Sequence, residues 1–154
     1  MAAPPPGLEP DEHLIARASA SFRGAAAASV RSTLALSAGR RRFDAYYAWQ
    51  EPAAIAGLGT IGPEFVLGLT ERELIVWSTS FWFSRPRAIT GRVALSDIHQ
   101  VAAARHGIVT GLAIAFNSGA IVEVEAIRGR RLRQFAAAVR DRLSGNAAGD
   151  SVPT

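Results

Sequence analysis

The spacing of apolar residues changes character twice along this chain. From Asp11 onward, Leu14, Ala18, Phe22, Val30 and Leu34 recur every three or four residues, with Arg17, Arg23 and Arg31 on other faces. That period predicts a helix opening near Asp11 and stopping at Gly39. Between Arg40 and Gly62 the pattern weakens. Alternation of Phe43, Ala45, Tyr47 and Trp49 marks a candidate strand, and Pro52 and the glycines after it mark a loop. After Pro63 the period becomes two. Phe65, Leu67 and Leu69 share one face, "TERE" is a turn, and "LIVWSTS" returns as a second strand, so the two form a hairpin. "RVALSDIHQVAAAR" alternates less cleanly but contains Val93, Leu95, Ile98 and Val101. "GLAIAF", "NSG" and "AIVEVEA" predict a second hairpin with Val122 and Val124 inward and Glu123 and Glu125 outward. Last comes "RRLRQFAAAVRDRLSG", in which Leu132, Phe135, Ala136, Val139 and Leu143 make one stripe and Gly145 ends the run. An amphipathic helix docked on an apolar surface is expected there.

Composition narrows this to one globular domain with ends of a different kind. The chain has 154 residues, 49% of them hydrophobic and 19% charged, enough for a single core. The proline-rich residues 1–10 read as a disordered leader, 11–62 as an N-terminal helix and linker holding the candidate first strand, 63–143 as a β domain with its closing helix, and 144–154 as a disordered tail. No cysteine is present, which excludes disulfides and thiolate metal sites and favours the cytoplasm. The N-terminus lacks the basic and apolar regions of a secretory signal, and no stretch is long and apolar enough to span a bilayer. All 17 basic residues are arginine, against 13 acidic ones, for a net charge of +4. Arginine beside abundant alanine is what a GC-rich genome encodes, so the net charge alone says little about a polyanion partner.

Four words, "FVLGLTEREL" (Phe65 to Leu74), "VALSDIHQV" (Val93 to Val101), "LAIAFNSGAIVEVE" (Leu112 to Glu125) and the closing helix, stand in an order and spacing that resembles bacterial pleckstrin-homology-like domains. The resemblance covers about Pro63 to Leu143. It implies an α+β fold, mostly antiparallel: a bent barrel or sandwich of about seven strands, closed by the C-terminal amphipathic helix, with the N-terminal helix as an addition. Glu71, Arg72 and Glu73 stand where the family's turn usually has an aspartate and two basic residues. None of the arginine runs aligns with the loop that eukaryotic members use for phosphoinositides, so no lipid site carries over.

Candidate chemistry is sparse. Nucleophilic catalysis needs a hydroxyl or thiol, a base and an orienting acid brought together. Asp97 and His99 are two apart and would share a face of a regular strand, a pattern more common on a solvated surface than in a catalytic pair. "GLGTIG" (Gly57 to Gly62) precedes a strand and lacks the Lys-Ser/Thr of a phosphate loop. We therefore expect no enzyme, no cofactor and no small-molecule substrate. The aromatic run after Ser80 divides by face: Phe81 and Phe83 inward, Trp82 outward and available for contact. Arginines form three groups: Arg40 to Arg42; Arg85, Arg87 and Arg92; and Arg128, Arg130, Arg131 and Arg133. The expected role is a bacterial, cytoplasmic interaction module with an arginine-rich surface, binding a protein, a second copy or a membrane surface. The alternative is electrostatic binding of anionic lipid or nucleic acid through Trp82, Arg85, Arg87, Arg92 and the Arg128 to Arg133 cluster.

Overall fold

The computed structural model describes residues 4–22, 49–59, 64–79 and 85–150. Seven strands, β1 (Ala16–Phe22), β2 (Glu64–Leu69), β3 (Glu73–Thr79), β4 (Pro86–Ala94), β5 (Ile98–His106), β6 (Val109–Phe116) and β7 (Ile121–Ile127), form one antiparallel sheet in the order β4-β3-β2-β1-β7-β6-β5. A helical segment over 49–55 (α1), a 3-10 turn at Leu95–Asp97 and a C-terminal helix α2 (Arg130–Asp150) complete the described chain. The sheet is not closed: among the described residues no pairing joins β4 to β5.

Both expected hairpins are present. Leu69 pairs with Leu74 across a turn in which Thr70 Oγ1 accepts from the Arg72 and Glu73 amides. Ile114 pairs with Val122, and Gly119 takes φ +91° in the "NSG" turn. "RVALSDIHQV" divides into the end of β4 and the start of β5, with the 3-10 turn between them. Val93, Leu95, Ile98 and Val101 are all buried. Asp97 lies in the turn and His99 on β5, both exposed, so they do not share a strand face.

The inner face of the sheet holds the main core. Phe65, Leu67, Leu69, Leu74, Val76, Leu112, Ile114, Val122 and Val124 meet Leu132, Phe135, Ala136 and Val139 of α2, all essentially without exposure. Each large side chain sequestered in this way contributes roughly 1.5–3 kcal/mol. From β1 come Ala18 and Ala20, whose small side chains let α2 lie close over that strand, and Phe22. The ring of Trp49, on α1, stacks on Phe65 with centroids 5.4 Å apart.

Three expectations are corrected. Ala16–Phe22, placed in the N-terminal helix, is strand β1, and it is the sheet's central member. Leu14, Ala18 and Phe22 are four apart, a spacing that satisfies a helical stripe and a two-residue alternation equally. Alanine's helix propensity favours the first, and pairing with β2 from Ala16↔Leu69 to Ser21↔Glu64 decides for the second. The sheet domain therefore begins well before residue 63. Residues 4–10, expected to be a disordered leader, are packed on the sheet: Leu8 packs against the cluster of Val66, Ile75 and Trp77, and Trp77 Nε1 donates to the Pro6 carbonyl at 2.8 Å. At the other end Gly145 does not stop α2, which continues to Asp150, since a single glycine costs only about 1 kcal/mol inside a long helix. Glu125 lies on the outer face but is nearly buried there. Gly24 to Gly39, Arg40 to Arg42, the candidate strand from Phe43 to Tyr47, and Phe81 to Phe83 lie outside the described residues; Trp49 is helical.

Candidate functional site

The sheet has two ends, and its registers separate Arg85 and Arg87 from the Arg128 to Arg133 group. Pro86 pairs with Thr79, and Glu64 pairs with Ser21, so the start of β4, with exposed Arg85 and Arg87 beside it, lies at the end where β1 finishes. β7 crosses β1 at Phe22↔Val124 and runs antiparallel to it, so Ile127 and Arg128 lie toward the opposite end. Arg85 and Arg87 therefore do not join the Arg128 to Arg133 cluster. Arg92, on β4, is already engaged. Its guanidinium donates to Glu12 and Glu73 at 2.7 Å each and to the Gly7 carbonyl at 3.0 Å. Those carboxylates raise its pKa still further, and its first duty is to hold the N-terminal segment. Trp82 lies outside the described residues.

The remaining cluster sits on a constructed rim. β5 and β6 are joined by the two-residue loop Gly107–Ile108, with His106 paired to Val109 and Gly107 at φ +62°, the backbone such a tight hairpin requires. Arg105 Nε donates to the Gly107 carbonyl at 2.9 Å and braces the loop. The Arg128 amide donates to the Ile108 carbonyl at 2.7 Å, which joins the hairpin tip to the β7–α2 junction. Arg128 takes φ +52°, an uncommon conformation for a residue with a Cβ, and so turns the chain into α2. Gly129 follows because a Cβ there would lie 2.6 Å from the Thr110 side chain.

Sequence and register thus bring Arg105, Arg128, Arg130 and Arg131 to one rim, all exposed, with Arg133 one turn further on. Among the described residues Arg128, Arg130, Arg131 and Arg133 form no ion pair. Residues 105–110 and 127–133 contain no acidic group. Between the arginines stand two apolar side chains in solvent, Ile108 at 52% exposure and Ile127 at 46%. Val109 pairs with Ile127, which places the two isoleucines one residue apart across the β6–β7 ladder.

No family model matches the chain. A search of curated proteins gives no match either. Among the described residues, no helix is long and apolar enough to cross a membrane.

The rim combines features that ordinary surfaces keep apart. Arginines in the first turn of a helix oppose its dipole, which favours acidic residues there by about 0.3–1 kcal/mol each, and α2 has no acidic residue in that turn. Sequence reasoning finds the Arg128 to Arg133 cluster, but misses Arg105, Ile108 and Ile127. The two-residue loop "HGIV" signals a hairpin tip, and that signal identifies Ile108 as an exposed position.

Proposed function

We propose that this chain is a non-catalytic, pleckstrin-homology-like interaction module that docks on an anionic membrane surface through the rim of Arg105, Ile108, Ile127, Arg128, Arg130 and Arg131. The observation that carries this reading is two exposed isoleucines set among arginines that form no ion pair among the described residues. An anionic leaflet attracts a basic side chain by about 1 kcal/mol near its surface, and aliphatic tips add burial at the acyl boundary. Four or five arginines and two partly inserted isoleucines make a reversible association. A groove for single-stranded nucleic acid would instead present aromatic stacking platforms between its cations, and the rim's apolar groups are aliphatic. The pleckstrin-homology-like part of the reading is supported by the strand order, with β1 between the two hairpin halves, and by the closing helix.

The test is co-sedimentation with vesicles of phosphatidylcholine, with and without phosphatidylserine, between about 50 and 200 mM salt. Binding is expected only with phosphatidylserine, weakening with salt. The I108D variant should bind at least about tenfold more weakly, with an unchanged melting temperature, because its side chain is in solvent. Equal binding to both vesicles, no binding at low salt, or tighter binding to duplex DNA would refute the assignment.

A further inference from the structure

The other half of the sheet carries a second apolar surface on its outer side. Val66, Ile75 and Trp77 are buried there, beneath Leu8, Leu14 and Ile89. What covers them is the N-terminal segment 4–15, and it is held as a ligand is held. Among the described residues it forms no ladder with the sheet, and its single backbone bond to a strand is from the Ile15 amide to the Leu69 carbonyl, where β1 begins. Every other grip comes from a side chain. Trp77 Nε1 donates to the Pro6 carbonyl at 2.8 Å, the Arg92 guanidinium takes the Gly7 carbonyl and the Glu12 carboxylate, and Leu8 and Leu14 fill the apolar surface.

The surface is shaped for that occupant. A Cβ on Gly68 would run into the Trp77 indole and Leu14, so the bare backbone of β2 forms the floor on which the ring lies. An indole N–H offered to a proline carbonyl beside an aliphatic surface is the chemistry by which extended proline-containing segments are recognised. The ionic clamp remains partly open to water, with side-chain exposures of 29% for Arg92 and 20% for Glu12. A segment held by side chains rather than by a strand ladder belongs to the class that opens without the rest of the fold.

We infer that the Trp77 face is a docking groove for an extended, proline-containing acidic segment of a partner protein, and that residues 4–15 occupy it in cis as a displaceable stand-in. The required features are those of the resident segment: a carbonyl for Trp77, a leucine two residues later and a carboxylate for Arg92. The groove lies on β2 to β4, whereas the rim lies on β5 to β7 and the start of α2, so either assignment stands without the other.

The experiment uses the full chain and a fluorescent probe peptide with the sequence of residues 1–15. Anisotropy is measured with wild type and with E12Q, in which the resident segment loses its carboxylate but the groove is intact. E12Q should bind the probe about fivefold more tightly, because weakening the cis occupant raises the fraction of open groove. L8S, which weakens the same segment by a different contact, should do likewise, and adding R92L to E12Q should abolish the gain. Hydrogen exchange over residues 7–15 should be faster than in β2 and β3. The proposal is overturned if E12Q and L8S, folded by circular dichroism, bind the probe no better than wild type, or if 7–15 exchanges only as slowly as the sheet. Dimerisation of E12Q in sedimentation without probe would overturn the partner assignment in favour of a second copy.

Discussion

Removing the charge on Glu12 isolates what the clamp contributes to stability. The hydrogen bonds from Arg92, and then the amide of Glu9, draw the Glu12 carboxyl from 4.5 down to about 2, against a smaller opposing effect of burial. Taken whole, such a drop corresponds to about 3 kcal/mol at roughly 1.4 kcal/mol per pKa unit. Both partners keep part of their surface in water, at 20% and 29% exposure, and solvent screening brings the expected contribution to about 1 kcal/mol. The folded-state pKa lies below the unfolded one, so this stability is fully present above about pH 4.5 and is lost as the pH falls towards 2. Urea unfolding of wild type and E12Q at pH 7, and at intervals down to about 2.5, follows it. At neutral pH E12Q should be less stable by about 1 kcal/mol, and the gap should narrow steadily below pH 4.5 as the wild-type carboxylate protonates. An offset that stays constant across that range would show that the energy does not come from the Glu12 charge, and none at neutral pH would show that the clamp carries no net energy. In an R92Q background the E12Q substitution should have little further effect, since the partner is already gone.

Two further outcomes follow from packing. Phe135→Ala leaves a cavity under α2 where the ring is fully buried, and should cost about 3–5 kcal/mol in a thermal or urea melt. Gly68→Val puts methyl groups where the Trp77 indole and Leu14 lie; it should cost about 1–3 kcal/mol and change the near-UV circular dichroism of the tryptophan, while far-UV sheet content is kept.

The second half of the chain is legible because its signals agree. In β2, β3, β6 and β7 the two-residue alternation falls on β-branched and aromatic residues, and turn residues stand at the expected places, so period and propensity point the same way. In α2 the stripe of Leu132, Phe135, Ala136, Val139 and Leu143 fits only one period; the first four are buried and Leu143 is half-buried against the same core. β1 is misread because alanines at even spacing carry no period of their own and the deciding partner, β2, lies beyond residue 63. Proline content alone makes residues 4–10 look unattached. What fixes them is an indole nitrogen about seventy residues away, which no local window contains. The rim is half legible for the same reason: the run Arg128 to Arg133 is contiguous, but Ile108 joins it only through the pairing of Val109 with Ile127.

The central place of β1 in the sheet bears on how the chain assembles. The hairpin halves β2 to β4 and β5 to β7 close through short loops and sequence-near contacts, which form early. β1 bridges them, and its bond from Ser21 Oγ to the Glu125 carbonyl spans 104 residues. The strand that leaves the ribosome before all the others thus completes its pairing only after the last of them is made. Until then the edge of β1 that meets β7 stays open, and closing it carries the loop-closure entropy of that 104-residue separation.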